Sequence, residues 1–214
     1  MQVYARRVGD PRDDLRGIGD RLREERVKAG LSQRELARRL GVSPSLISQL
    51  ESGQSNPSVG TLYAIVTELD VSLDRLIRGS DYVGNGTEKA AEEETSPPLV
   101  HPEERKVIQL DSGVRWEQLV PGDGNDIDFL LTVYEVGGAS TADESLMRHH
   151  GREYGYVMKG TLGVQVGFEE YQLDPGDAIS FDSTVPHRLF NKGSEPVEAV
   201  WFVVGRNAHE VTHS

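Results

Sequence analysis

Apolar residues follow two different rhythms along this 214-residue chain. Between Ile18 and Ile77 they recur at intervals of three and four: Ile18, Leu22 and Val27, then Leu36, Ala37 and Leu40, then Ile47 and Leu50. Leu62, Ile65, Val66 and Leu69 form the next set, and Leu73, Leu76 and Ile77 the last. Such spacing puts each set on one face of a helix. It predicts an all-α bundle of five short helices, small but able to bury its own core at roughly 60 residues. From Val107 onward the apolar residues come in short runs: Phe129–Val136, Tyr156–Met158, Leu162–Val166, Ala178–Phe181 and Glu198–Val204. Glycine turns punctuate them at Pro121-Gly122, Gly137-Gly138, Lys159-Gly160, Pro175-Gly176 and Lys192-Gly193. Short strands at this spacing predict an all-β barrel or jelly roll of roughly 100 residues.

Helix ends in the first half are marked by residue type. Ser32 with Glu35 three positions on reads as a capping box, fixing a helix start at Gln33. Gly41 supplies the left-handed residue that stops this helix. Ser43 and Pro44 then open the next one, as N-cap and first-turn proline. Ile47 and Leu50 turn inward in that second helix, which leaves Ser45, Ser48 and Gln49 outward. Gly30 ends the helix before the pair, and Ser58 and Ser72 cap the two that follow it.

Charge sharpens the division. The whole chain carries a formal −12. Residues 1–80 hold 13 Lys and Arg against 11 Asp and Glu, a net +2, whereas residues 81–214 hold 10 against 24, a net −14. Cationic groups suited to phosphate contact therefore sit in the helical half. No cysteine is present, which excludes disulfides, thiolate catalysis and cysteine-ligated zinc. No apolar run reaches bilayer length and no signal core opens the chain, so a cytoplasmic protein without membrane attachment is expected. The expected boundaries are a loose tail at 1–14, a DNA-binding domain at 15–79 and a linker at 80–102. The linker holds Gly84-Asn85-Gly86, three consecutive glutamates from Glu92 and Ser96-Pro97-Pro98. A barrel at 103–206 and a tail at 207–214 complete the division.

An exposed helix presented by such a pair fits the major groove, its N-terminal half meeting base edges. Gln49 can bond an adenine edge, and Ser45 and Ser48 can reach bases or phosphates. Gln33, at a helix N-terminus, is placed to hold a phosphate, and Arg34 faces solvent or phosphate. The stretch Ser32-Gln33-Arg34-Glu35-Leu36-Ala37, together with Ile47-Ser48-Gln49-Leu50-Glu51-Ser52-Gly53 and Asn56-Pro57-Ser58, resembles the phage-repressor or XRE type of helix-turn-helix over roughly residues 18–77. That resemblance implies DNA contacts at Gln33, Ser43, Ser45, Gln49 and Asn56. It also implies a homodimer on a palindromic duplex operator.

Two stretches of the second half carry candidate chemistry. One runs from His149-His150-Gly151-Arg152-Glu153 to Lys159-Gly160, the other from Pro175-Gly176-Asp177 to Pro186-His187-Arg188. Both resemble the signature motifs of the cupin superfamily, and with the helical half the order resembles XRE–cupin regulators. The resemblance implies a small-molecule sensor domain. It also assigns His149, Glu153 and His187 to three of four metal-ligand positions, with Fe, Zn, Ni or Mn as candidate ions. Met147 stands at the fourth position, where a thioether suits such metals poorly. Period-two alternation puts Met147 and His149 on the same inward face, which makes Met147 a pocket-lining residue. For the triad three readings stand open: a hydrogen-bonded core cluster, anchors for a polar ligand without metal, or a 2-His-1-carboxylate site of the non-haem Fe(II) kind.

The expected function is sequence-specific transcription regulation, in which a small-molecule effector bound by the barrel modulates operator binding. The alternative is a cupin non-haem Fe(II) oxygenase or epoxidase with an accessory helix-turn-helix. An enzyme that had left DNA behind would show decay on the recognition face, whereas Gln33, Ser45, Gln49 and Asn56 all stand. A third reading makes the barrel a dimerisation platform that senses nothing.

Overall fold

The computed structural model describes residues 11–78, 99–121, 127–141 and 143–205. The first ten residues with Arg6 and Arg7, most of the expected linker, Gly122, and the tail histidines His209 and His213 lie outside these. The helices are α1 (Pro11–Lys28), α2 (Gln33–Leu40), α3 (Pro44–Glu51), α4 (Val59–Leu69) and α5 (Leu73–Arg78). After a single 3-10 turn at Pro102–Glu104, nine strands follow: β1 (Val107–Leu110), β2 (Val114–Gln118), β3 (Ile127–Tyr134), β4 (Arg152–Lys159), β5 (Leu162–Val166), β6 (Glu169–Leu173), β7 (Ala178–Asp182), β8 (His187–Phe190) and β9 (Val197–Val204). None of the described helices is long and apolar enough to cross a membrane.

Caps set the helix-turn-helix. The Ser32 hydroxyl accepts from the Glu35 N–H at 3.1 Å, and Ser43 does the same for Leu46. Gly41 takes φ +69° and ends α2. The reciprocal half of the expected capping box is replaced: the Glu35 carboxylate accepts from Arg38 and Arg39 on its own helix. Two further expectations change in α1. Val27 is 59% exposed, because the inward stripe continues through Glu25 and Arg26, both buried. The helix also starts inside the expected tail, at Pro11, a residue type favoured in a first turn.

The strands form two antiparallel sheets, one ordered β1-β2-β3-β9-β4-β7 and the other β6-β5-β8. Alternation sorts the side chains. On β4, Glu153, Gly155 and Val157 face the interior while Tyr154, Tyr156 and Met158 are exposed. On β9, Val197, Ala199, Trp201 and Val203 are buried.

The helical half packs against the barrel. Asp111 N–H donates to Pro57 O at 2.9 Å, and Gly60 N–H donates to Ser140 O at 3.1 Å. Gln118 bonds Asp74 of α5. A Cβ on Gly60 would stand 3.2 Å from Thr141 Cγ2 and 3.4 Å from Met147 Cβ, so α4 approaches the barrel as closely as a glycine allows.

Candidate DNA-reading face and barrel metal centre

In the helical half, Ser45, Ser48 and Gln49 are exposed along α3, and Arg34 is exposed on α2. Ser43 is exposed too, with its hydroxyl engaged as the α3 cap. Gln33 is half-buried and donates to Glu51 Oε2 at 2.7 Å. Glu51 is buried and bridged by Arg26 through contacts of 2.5 and 3.0 Å. A charged clamp from α1 to the end of α3 thus fixes the side chain that opens α2. Asn56 is half-buried in the turn leading to α4.

In the barrel, three side chains from three places meet. His149 precedes β4, Glu153 is the second residue of β4, and His187 opens β8. Backbone pairing brings them together: Met147 and His187 exchange hydrogen bonds of 2.9 and 2.8 Å, and His149 N–H donates to Ser183 O at 3.0 Å. The ligand atoms lie within 4.8 Å of one another. His149 is 5% exposed, Glu153 2% and His187 0%.

Both imidazoles are oriented from behind. His149 Nδ1 lies 2.9 Å from His150 O, and His187 Nδ1 lies 2.8 Å from Val185 O. A carbonyl only accepts, so each Nδ1 carries a proton and each Nε2 is turned toward Glu153. Each Nε2 is 2.9 Å from Glu153 Oε1, yet none of the three atoms has a hydrogen-bond partner of acceptable direction. The other carboxylate oxygen is held by Trp201 Nε1 at 2.7 Å. That contact needs Gly155, because a Cβ there would sit 2.0 Å from the Trp201 ring.

The electrostatics follow from this crowding. Burial acts to raise the Glu153 carboxyl, but contact with His149 and His187 outweighs it and holds the group at about 2. Burial acts to lower His187, and the Glu153 carboxylate more than offsets it, raising the imidazole above its ordinary value. Tyr134 is raised by burial and by the Glu153 charge. With both rings neutral, two lone pairs and a carboxylate converging in a dry pocket repel one another unless a proton or a metal ion lies between them. Two nitrogens and an oxygen, each oriented from behind, form a donor set that fits a divalent transition metal. Met147 is half-buried and packs toward Gly60 of α4.

The family profile for the helix-turn-helix matches residues 22–76, and that for the cupin domain matches residues 130–203. The HTH-type transcriptional regulator PuuR of Escherichia coli is 26% identical over 173 residues, covering 81% of this chain and 86% of PuuR. An uncharacterized HTH-type transcriptional regulator of Sinorhizobium fredii, y4dJ, is 42% identical over 70 residues, 33% of this chain and 91% of that protein. This chain belongs to the helix-turn-helix transcriptional regulators. It also carries a cupin domain after the helix-turn-helix. A helix-turn-helix family transcriptional regulator from Vibrio cholerae has the same fold, with a TM-score of 0.64 at 20% identity over 91% of this chain and 98% of its own.

Some residues at the regulator's barrel centre escaped the sequence reading. Trp201 holds Glu153 through its indole N–H. Phe181 lies 5.0 Å from the His187 ring, and Tyr63, carried by α4, stacks on His149 at 4.3 Å. A signal for Tyr63 exists: it is a large aromatic beside the stripe Leu62, Ile65, Val66 and Leu69, so α4 is apolar over more than one face.

Proposed function

We propose that this regulator reads a palindromic operator as a homodimer and holds a divalent metal on His149, Glu153 and His187, where a small-molecule effector binds and modulates operator affinity. Acting in the cytoplasm, it would meet its operator through α3, with Ser45, Ser48 and Gln49 toward base edges. Gln33, Arg34, Ser43 and Asn56 would position it on the backbone. Exposure of the first three along one helix face is the observation that supports this. Anisotropy titrations against the DNA upstream of its own gene test it. Gln49→Ala should cost about 1–3 kcal/mol on the specific duplex only, whereas Arg34→Ala should weaken all duplexes alike and lower the salt slope by about one. Equal losses on specific and random DNA for both variants would remove α3 as the reader.

For the barrel, the supporting observation is the convergence of three unbonded, buried ligand atoms. When bound, the metal would act as a Lewis acid with positions open to an exogenous ligand. The chain's own residues hold it, orient both imidazoles through backbone carbonyls and keep water out. Calorimetric titration of chelator-treated protein with Fe(II), Mn(II), Zn(II) and Ni(II) should give one site per chain, lost in His187→Ala. We read the centre as one that binds rather than turns over, because the recognition face is complete and the relatives described are regulators. Steady dioxygen consumption by the iron-loaded protein would move it to the oxygenase reading.

The dimer is supported by the outer face of the larger sheet. Phe129 and Phe202 stack there at 4.3 Å, beside Tyr154, Tyr156 and Met158, each between 43% and 49% exposed. In a half carrying a net −14, this aromatic patch, with the Arg152 guanidinium over the Tyr154 ring, is where a second, equally acidic copy can approach.

A further inference from the structure

Tyr63 belongs to the DNA-reading half, yet its ring forms a wall of the barrel centre. It is 3% exposed and stacks on His149 with ring centroids 4.3 Å apart at 27°. Its other neighbour is Trp116 of β2, with centroids 5.5 Å apart. Trp116 is itself buried, and its Nε1 has no hydrogen-bond partner. An indole N–H out of reach of water and without an acceptor costs about 1–3 kcal/mol. It is a donor awaiting an oxygen.

The walls differ in how they can move. Trp116, Phe181 and Trp201 are pinned by strand pairing on β2, β7 and β9. Tyr63 is carried by a helix, α4, which meets the barrel at its first turn through the bond from Gly60 to Ser140 and close packing on Thr141 and Met147. Met147 in turn exchanges hydrogen bonds with His187. So α4 touches one metal-ligand candidate directly and a second through its bonded neighbour. The same helix follows Asn56 by three residues and packs against α2 of the reading unit.

Resting on the metal reading above, we propose that the effector site lies between the two halves, in the space the Tyr63 ring fills, and that Tyr63 links occupancy to DNA binding. The ligand is a small molecule with an anionic oxygen donor, such as a carboxylate. One oxygen takes an open position on the metal and another accepts from Trp116 Nε1. To enter, it displaces Tyr63 from His149 and so shifts α4 against the barrel. Coupling then follows from differential binding: the ligand fits the displaced arrangement and the stacked arrangement excludes it.

The test uses full-length protein loaded with Co(II), whose visible spectrum reports coordination, titrated with oxalate as the probe. Operator affinity is read in the same samples. Removing the competing ring in Tyr63→Ala should tighten oxalate binding about tenfold or more, within the usual range of coupling energies. Operator affinity should then no longer respond to oxalate. Tyr63→Phe keeps the stack and should behave as the parent, whereas Trp116→Phe should weaken oxalate severalfold while retaining Co(II). If Tyr63→Ala does not fold, Gly60→Ala serves. Its added methyl presses on Thr141 and Met147, and it should speed Co(II) loss to chelator and blunt the operator response. Co(II) bound normally, with oxalate affinity and operator response unchanged in Tyr63→Ala or Gly60→Ala, would overturn the proposal alone. Failure of the parent protein to bind Co(II) would overturn it together with the metal reading.

Discussion

Glu51 ends the recognition helix as a buried carboxylate that serves two partners, Arg26 from α1 and Gln33 from α2. Removing its charge leaves Arg26 buried and unpaired, a loss of about 3–5 kcal/mol for a pair this sheltered. Glu51→Gln should therefore lower the unfolding free energy by that amount, read as a lower urea midpoint, and also weaken DNA binding, because the anchor of Gln33 is weakened. A variant as stable as the parent would mean that Arg26 finds water. At the barrel centre the same rule of paired charge sets the pH dependence. His187 is raised above its ordinary value of 6.5, so in the metal-free protein its contribution is complete below about pH 6.5 and is lost as pH climbs through the raised value. The Glu153 contribution, with its group held at about 2, is lost only as pH falls from about 4.5 toward that value. Metal reverses the trend near neutrality, since it competes with protons for Nε2. Thermal melts between about pH 5.5 and 8.5 should show the gap between metal-loaded and chelator-treated protein widening with pH. A gap that does not change with pH would separate the metal from these imidazoles.

At the scale of elements, what could be read from the sequence depended on whether a local rule decided it. The caps Ser32, Ser43, Ser58 and Ser72 act on their own neighbours, and each was placed correctly from residue type. β5 was legible to the residue, because the Lys159-Gly160 turn precedes it and Leu162, Val164 and Val166 alternate along it. β6 was not, since four of its five residues are exposed and no alternation betrays it. His149, Glu153 and His187 were identifiable from their motifs. The support around them was not: Trp201 and Tyr63 reach the centre by strand pairing and by docking of the two halves, over separations that no local pattern records. The β4–β9 pair shows how strict that support is. Gly155 faces Trp201 in register, and the indole ring lies over the space a side chain would take. Gly155→Ala must push Trp201 away from Glu153. It should cost about 1–3 kcal/mol of stability as overpacking and weaken metal binding about 10–100-fold through the lost support. Unfolding curves and metal titrations read the two effects separately. Stability lost with metal affinity intact would show that the indole bond to Glu153 is dispensable.

Over the whole molecule, charge and apolar surface decide how two copies reach one operator. The reading half carries only +2, so non-specific attraction to DNA is modest, and the −14 of the other half works against it. One module of this size gives limited affinity; two joined on a two-fold axis gain from linkage, provided they sit about one DNA turn apart. In the proposed dimer, the aromatic outer face of the larger sheet would supply that axis. Phe202 lies in a cross-strand row with Phe129 and Tyr154, and its side chain projects away from the barrel interior. Phe202→Asp therefore puts a charge at the middle of the face without touching the metal ligands. Sedimentation should show a dimer for the parent and a monomer for this variant. The variant should bind metal as the parent does, and its operator affinity should fall by about 100-fold or more, the scale of lost bivalency. A Phe202→Asp protein that remains dimeric would move the two-fold axis to another surface. One that is monomeric yet keeps full operator affinity would mean that a single head suffices.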